Sequence, residues 1–175
     1  ERCSEILKKL TLNPTIEDDF IDRDLSISDY VHEIVKSFEE ISKKEFIVSS
    51  DLNYNPLNIT KSIELVYGLR NFIGNANKFS NSKIFINIKS DNDFTEIIIE
   101  DDGEGYPKDV LNKIGEPYIK SYKSSIKSLS GLGLGIFIGK TLLEKNYGNI
   151  NCKNSKDKSG AKVSIKWKNE DLLKI

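Results

Sequence analysis

Two consecutive segments with alternating apolar and polar residues constrain the fold of this chain more than any other feature. They read SKIFINIKSD (82–91) and DFTEIIIED (93–101), and a turn-like Asp-Asn-Asp joins them. A period of two residues is typical of strands that bury one face, so the pair is predicted to form an antiparallel hairpin. The apolar face of such a hairpin must be covered, which requires a second layer packed against the sheet.

The covering layer is predicted to be helical. The segments DYVHEIVKSFEEISKK and KSIELVYGLRNFIGNANKF space their apolar residues as helices do, with Ser28 and Thr60 as the expected N-caps. Further strands are predicted at EFIVSSD, NINCKN and GAKVSIKW, the last two paired with each other. The predicted fold class is therefore α+β, a two-layer α/β sandwich with a mixed, mostly antiparallel sheet and helices on one face.

Composition narrows the classes of partner. The 175 residues suit one domain, and 26 Lys and Arg against 27 Asp and Glu give a net charge of −1, which argues against nucleic acid as a partner. No apolar run reaches the roughly 18–20 residues of a membrane span, so no membrane contact is expected of this fragment. The two cysteines, Cys3 and Cys152, and the single His32 form no metal-ligand set in sequence. Because the chain begins with Glu1, it is predicted to be part of a longer protein.

Three polar residues recur at successive turns of the second predicted helix, opposite its apolar stripe. They are Asn71, Asn75 and Lys78, and asparagine is a poor helix former. One interpretation is a solvated face, since the whole chain is rich in Asn and Lys. The other is a binding site, in which two amide oxygens one turn apart are ligands for Mg²⁺ and the lysine reaches a phosphate.

The end of the second hairpin strand is acidic and rich in glycine. It reads IIIEDDGEGYP, which is compatible with an ordinary acidic turn after a strand. In the functional interpretation, Asp101 accepts a hydrogen bond from an exocyclic amino group, and Gly103 and Gly105 let a flat ligand lie against the backbone.

A third glycine-rich segment, SGLGLGIFIGKTLLEKNYGNI, runs directly into an amphipathic helix. Unpaired N–H groups at a helix N-terminus favour an anion, and a side chain at Gly131, Gly133 or Gly135 would hold that anion away. A dinucleotide fingerprint is disfavoured because the polar KSYKSSIKSLS precedes the glycines where a strand is required. A Walker P-loop is disfavoured because no Lys-Ser/Thr pair follows at the required spacing. The segment is predicted to seat phosphates in another type of site.

Taken in order, NFIGNANKFS, DDGEGYP and SGLGLGIFIGKTLLEKNYGNI resemble the N, G1 and G2 boxes of the ATP-binding domain of bacterial sensor histidine kinases. Those kinases share this Bergerat-type fold with DNA gyrase, the Hsp90-class chaperones and the mismatch-repair MutL proteins. The resemblance covers nearly the whole chain from about Leu25, with GAKVSIKW as the final strand. It implies the end of a dimerisation helix at 1–12, a linker at 13–24 and an ATP-binding catalytic domain at 25–175.

The resemblance also implies roles for single residues. It makes Asn71 and Asn75 the Mg²⁺-linked asparagines and assigns catalysis to them together with Lys78. It places an ATP lid at about Tyr106 to Ser130. The residues to which it assigns nucleotide binding are Asn75, Lys78, Phe79, Asp101, Gly103, Gly105, Tyr118, Gly131, Leu132, Gly133, Leu134 and Gly135.

One position separates a kinase from an ATPase. The gyrase-like ATPases carry a water-activating glutamate where this chain has Asn71, which cannot act as a base, so transfer to a protein is favoured over hydrolysis. The segments ERCSEILKKL and GEPYIKSYKSS are similar to the redox-responsive Reg/Prr-type sensor kinases. The resemblance makes Cys3 the counterpart of a redox-active thiol in those kinases. The alternative is that Cys3 is an ordinary cysteine. His32 is predicted to be a helix-surface residue, because Ser37 stands where a phosphoacceptor motif has proline.

The predicted function is transfer of the γ-phosphoryl group of ATP, with Mg²⁺, to a histidine outside this chain. The predicted partners are the dimerisation and phosphoacceptor domain of the same kinase and, indirectly, a response regulator. The predicted location is cytoplasmic, as a portion of a membrane-anchored sensor. The alternatives are a nucleotide-binding regulatory module of the same fold and an anti-sigma-type serine kinase.

Overall fold

The computed structural model describes residues 25–52, 57–59, 62–117 and 134–175. The predicted dimerisation-helix end and linker (1–24) and the lysine-rich segment 120–130 lie outside the described residues. The elements in chain order are β1 (Leu25–Ser26), α1 (Ile27–Glu39), β2 (Glu45–Leu52), β3 (Asn58–Ile59), α2 (Ile63–Phe79), β4 (Lys83–Ser90), β5 (Phe94–Asp101), α3 (Lys108–Leu111), α4 (Gly135–Lys145), β6 (Asn149–Asn154), β7 (Ala161–Lys168) and α5 (Asn169–Leu172).

The main sheet has five strands in the order β2-β4-β5-β7-β6. The edge strand β2 is parallel to β4, and the other three pairings are antiparallel. The predicted β4–β5 hairpin and β6–β7 pair are both present, so the mixed, mostly antiparallel sheet is confirmed. A separate antiparallel pair, β1 with β3, was not predicted from the sequence. Its two-residue strands are too short to leave a periodic pattern.

The apolar face of the sheet and the helical layer form one core. Alternate residues of β4 and β5 are buried as the period of two requires, with Ile86 paired to Ile99 in the register. Trp167 of β7 is 1% exposed, and its Nε1 donates to the carbonyl oxygen of Asn146 at 3.0 Å. The buried apolar residues of the two long helices are Ile27, Tyr30, Val31, Ile34, Val35, Phe38, Leu65, Val66, Leu69, Phe72, Ile73 and Ala76.

Both predicted N-caps were wrong by two residues. The cap of α1 is Ser26, whose Oγ accepts from the backbone N–H of Asp29 at 3.2 Å, while Asp29 Oδ2 accepts from the N–H of Ser26 at 2.9 Å. Pairing in β1 holds Ser26 in the extended conformation that a cap needs, and Ser28 lies inside the helix. The cap of α2 is Ser62 rather than Thr60, since the helix begins at residue 63.

Two glycines bring α4 into close contact with α2. A Cβ added at Gly68 would lie 2.5 Å from Leu143 Cγ, and one added at Gly139 would lie 3.0 Å from Asn71 Cβ and 3.2 Å from the Gly68 carbonyl oxygen. The cost of these helix-interior glycines in propensity is therefore offset by close packing of the two helices. This packing places the N-terminus of α4 beside the polar side of α2.

Candidate functional site

The predicted asparagine pair faces the first residue of α4. Asn71 Nδ2 donates to the carbonyl oxygen of Tyr67 at 2.8 Å. A Cβ added at Gly135 would lie 3.6 Å from Asn71 Oδ1 and 3.5 Å from Asn75 Nδ2. The two amides thus border the same small space in front of the helix end, into which a side chain at position 135 would project.

The Asn75 amide nitrogen is buried and has no hydrogen-bond partner among the described residues. A donor left unpaired in this way costs about 1–3 kcal/mol, so a merely solvated face does not account for it. A phosphate oxygen would supply the missing acceptor, and amide oxygens belong to the hard donor set that Mg²⁺ prefers. The residues present therefore fit a Mg²⁺-phosphate group.

Lys78 and Phe79 lie in the last turn of α2. Lys78 Nζ is 5.3 Å from the centroid of the Phe79 ring, a cation–π distance. The Phe79 side chain is 49% exposed although the same helix forms much of the core. An exposed aromatic ring beside a lysine offers a flat apolar surface and a cation to a ligand that carries both a ring and an anion.

Asp101 ends β5 and is 4% exposed. Its Oδ1 accepts from the backbone N–H groups of Gly103 at 2.9 Å and Ala161 at 3.2 Å. Within the described residues, Oδ2 accepts no hydrogen bond. Burial raises the pKa of Asp101, and the two N–H groups oppose that shift without cancelling it. One carboxyl oxygen is thus fixed by the backbone, and the other is open to a donor.

Glycines on two sides let the backbone close around Asp101. A Cβ added at Gly103 would lie 2.2 Å from the Phe79 carbonyl oxygen, and one added at Gly160 would lie 2.0 Å from the carbonyl oxygen of Asp101. The sequence analysis missed Gly160. The sequence marks Gly160 only as part of a Ser-Gly pair at the start of a predicted strand. No neighbouring residue in the sequence indicates that this turn covers Asp101. Gly105 adopts a φ of +75°, which favours glycine.

The neighbouring acid has the opposite environment. Asp102 accepts from the backbone N–H of Asn81 at 2.8 Å and from the N–H and Oγ of Ser82 at 3.0 Å and 2.6 Å. Burial acts to raise the pKa of Asp102, but the hydrogen bonds from Ser82, Lys83 and Asn81 outweigh it and lower the pKa to about 2. Asp102 is therefore an ionised structural link between the turn after α2 and the end of β5, a role that the sequence analysis missed.

Tyr106 is fixed to the body of the fold. Its backbone N–H donates to Asn154 Oδ1 at 2.6 Å, and Asn154 Nδ2 donates to its carbonyl oxygen at 3.0 Å. Its ring packs against the core beside Cys152, and burial raises the pKa of that thiol to about 11. Tyr106, the predicted first residue of the lid, is thus held by contacts to the rest of the domain, while residues 118–130 of the predicted lid lie outside the described part of the chain.

The remaining predicted residues are only partly placed. Leu134 directly precedes α4, and Gly135 is its first residue. His32 is on the exposed side of α1, where its Nδ1 donates to the Ser28 carbonyl oxygen at 2.7 Å, as predicted for a helix-surface residue. Four residues lie outside the described part of the chain, as does Cys3: they are Tyr118, Gly131, Leu132 and Gly133.

The described residues lack two further features. No three or more His, Cys, Asp or Glu side chains gather as a metal-ion cluster in that part of the chain. None of its helices has the length and apolar character that crossing a membrane requires.

In the described residues, the sheet, the helices packed on one of its faces and the polar residues at α2, the start of α4 and the end of β5 define an α/β sandwich with a polar site at one edge. Residues 60–171 match the family described as histidine kinase-, DNA gyrase B- and HSP90-like ATPases. The chain belongs to this family, which confirms both the predicted family and the predicted fold class.

Individual relatives of the chain are named as sensor proteins. The chain is 33% identical over 132 residues to the sensor histidine kinase RegB of Cereibacter sphaeroides, covering 67% of this chain and 29% of RegB. It is 29% identical over 99 residues to the sensor protein RstB of Escherichia coli, covering 57% of this chain and 23% of RstB. The chain thus spans less than a third of these relatives. The solved mycobacterial sensor histidine kinase MprB has the same fold, with a TM-score of 0.69 at 20% identity over 82% of this chain and 96% of that one.

Proposed function

We propose that this chain binds Mg-ATP and transfers the γ-phosphoryl group to a histidine of a dimerisation domain in the same protein. The observation that carries the proposal is the buried Asn75 amide nitrogen, which has no acceptor among the described residues and faces the N-terminus of α4. Two comparisons support it. RegB and RstB are named as sensor proteins, RegB explicitly as a histidine kinase, and a structural neighbour, ShkA, was solved with the nucleotide analogue AMPPNP.

Each end of the nucleotide has its own residues in this proposal. Asp101 Oδ2 accepts from the exocyclic amine of adenine, and Phe79 contacts the base. Lys78 and the glycines 131, 133 and 135 bind the phosphates. Asn71 and Asn75 would hold Mg²⁺, which when bound neutralises charge on the phosphate oxygens.

The reaction is an in-line displacement at the γ-phosphorus. A nitrogen lone pair of the acceptor imidazole forms the N–P bond, and the bond from phosphorus to the bridging oxygen breaks, so that ADP leaves with that electron pair. The phosphorylated imidazolium that results loses the proton on its other ring nitrogen to solvent. This chain contributes positioning: Lys78 holds the phosphates, while Asp101 fixes the base. Asn71 carries no basic group to activate water, so hydrolysis is slow.

The proposal extends to the parts of the protein around this domain. Residues 1–12 are the end of the dimerisation helix, 13–24 are a linker, and 25–175 form the catalytic domain. The phosphorylated histidine then donates its phosphoryl group to a response regulator in the cytoplasm.

Incubation with γ-labelled ATP tests the proposal. The chain alone is expected to remain unlabelled and to hydrolyse ATP slowly, whereas a separately supplied dimerisation domain of the same protein becomes labelled in its presence. Because the two parts are unlinked, this transfer is expected to be slow. The label is expected to be lost in acid, as a phosphoramidate is. Label on His32 of the chain alone would contradict the proposal, and acid-stable label on a partner serine would indicate an anti-sigma-type kinase instead.

A further inference from the structure

Lys44 lies outside every motif of the sequence, in the turn between α1 and β2, and is half-buried. Its ammonium group donates to the carbonyl oxygens of Asn77, Ser80 at 2.6 Å and Lys78 at 3.4 Å. Ser42 supports the same contact, since its Oγ donates to Asn77 Oδ1 at 2.7 Å and accepts from the Lys44 N–H at 3.1 Å. One side chain therefore collects three carbonyl oxygens at the end of α2.

These carbonyl oxygens need such a partner. The last four carbonyls of a helix have no intrahelical donor, and the helix dipole makes this end attractive to a cation. An ammonium group has three N–H donors and satisfies several carbonyls at once. Lys78 and Phe79 belong to the turn that Lys44 holds. Lys44 therefore fixes the backbone position from which both of those side chains extend.

An anion holds the same turn from its other side. Asp102 accepts from the N–H groups of Asn81 and Ser82, and its own carbonyl oxygen accepts from Asn81 Nδ2 at 2.5 Å. The Phe79 carbonyl oxygen meanwhile lies so close to Gly103 that no Cβ fits between them. The turn from 77 to 82 is thus fixed between a cation from the β2 side and an anion from the end of β5.

We propose that Lys44 is a positioning residue for nucleotide binding, which holds the end of α2 in register with the end of β5. The proposal rests on the nucleotide binding described under the proposed function. Through this register, Lys78 at the phosphates, Phe79 at the base and Asp101 at the exocyclic amine keep a fixed separation. Lys44 itself contacts no part of the nucleotide in this arrangement.

The charge of Lys44 also reaches Asp101. Burial raises the pKa of Asp101 and the negative charge of Asp102 adds to this, whereas the positive charge of Lys44 lowers it. Burial raises the pKa of the Tyr106 hydroxyl, and the negative charge of Asp101 contributes to that shift. Without the Lys44 cation, Asp101 takes up a proton at a higher pH. Since a protonated carboxyl can donate to the base instead of accepting, ATP affinity should then fall earlier on acidification.

Three variants test the proposal: Lys44→Met, Lys44→Arg and the control Lys43→Met. Lys43 is exposed and has no hydrogen bond or ion pair among the described residues. The affinity of the whole chain for Mg-ATP is measured by calorimetry from pH 5 to 8, with folding followed by urea denaturation. Lys44→Met is expected to bind about tenfold more weakly, on the scale of one lost charge-assisted contact. Its affinity should also decline at a higher pH than in the wild type. Lys44→Arg keeps the charge and should retain most of the affinity, while Lys43→Met should match the wild type.

The outcomes separate the possible failures. A folded Lys44→Met variant with wild-type affinity and pH profile would overturn the proposal, even if its urea midpoint were lower, because the role would then be structural only. If Lys44→Met does not fold, Ser42→Ala removes only the supporting contact and should weaken Mg-ATP about threefold; an unchanged affinity there also overturns it. A wild-type chain that binds no Mg-ATP would contradict the proposed function itself.

Discussion

Replacing Asp101 with Asn changes one atom of the carboxyl that we propose to bind the base and nothing else that the fold requires. Oδ1 already accepts from Gly103 and Ala161, and the Asn Oδ1 can accept from both N–H groups in the same way. Only Oδ2 changes, from a charged acceptor to an NH₂ donor. A hydrogen bond to a charged group contributes about 1.5–3 kcal/mol, so ATP affinity should fall about 10- to 100-fold. The NH₂ group meets the amine of adenine donor to donor, but it can donate to the oxygen of guanine, so GTP should lose far less.

The same substitution should not destabilise the unliganded protein. The raised pKa of Asp101 means that folding favours its protonated form. Its contribution to stability is therefore greatest below the pKa of the unfolded state and is lost as the pH rises through the folded pKa. At neutral pH the wild type carries a buried ionised carboxyl, which the Asn variant lacks. The urea midpoint of Asp101→Asn at pH 7 should equal or exceed that of the wild type, although its affinity for ATP is lower.

Calorimetric titration of the wild type and Asp101→Asn with Mg-ATP and Mg-GTP measures the change in nucleotide affinity. Urea denaturation of the two proteins at pH 7 measures the change in stability. Glu104→Gln is the matched control, since it removes an exposed acid from the same loop and should leave the ratio of ATP to GTP affinity unchanged. Equal losses for the two nucleotides in Asp101→Asn would refute the assignment of Oδ2 to the base. A clearly lower urea midpoint would refute the account of the buried carboxyl.

Four other substitutions have distinct expected results. Asn75→Ala removes a donor that has no partner, so calorimetry should show about tenfold weaker Mg-ATP binding with a flattened Mg²⁺ dependence, while the urea midpoint stays within about 0.5 kcal/mol. Gly135→Ala adds a Cβ at ordinary contact distance and should weaken the affinity for Mg-ATP without loss of stability. The Cβ added by Gly139→Ala lies 3.0–3.2 Å from Asn71 and Gly68, so this variant should lose about 1–3 kcal/mol of unfolding free energy in urea denaturation. The depressed pKa of Asp102, about 2, stabilises the fold above about pH 4 and is lost as the pH falls toward 2, so Asp102→Asn should flatten the acid limb of a stability-pH curve.

The sheet could be predicted because burial on one face leaves a period of two in the sequence. Burial alternates along residues 83–90 and 94–101 as that period predicts, and both strands and their turn were correct. The N-caps could not be placed in the same way, because serine at 26 and serine at 28 have the same capping chemistry. The pairing of β1 with β3 selects Ser26, and that contact joins residues more than thirty positions apart.

The candidate site likewise has residues that the sequence predicts and contacts that only the folded structure shows. Asn71, Asn75, Lys78 and Asp101 were predicted because their types and local spacing carry chemistry. The backbone contacts around them were not, because Lys44, Asp102 and Gly160 act on carbonyl and N–H groups, which every residue has. A side chain chosen to meet a backbone group leaves no motif, and it becomes visible only when the fold places the two together.

The hydrogen bond from Ala161 to Asp101 spans 60 residues of chain, and Gly160 closes the same side of the carboxyl. During synthesis, Asp101 and the whole β4–β5 hairpin emerge well before β7, whose docking supplies this wall of the pocket. A nascent chain that ends before residue 161 therefore exposes the unpaired edge of β5, where β7 should add. In the proposed function, recognition of adenine by Asp101 is therefore one of the last properties that the domain acquires during synthesis, because it requires β7 to be in place.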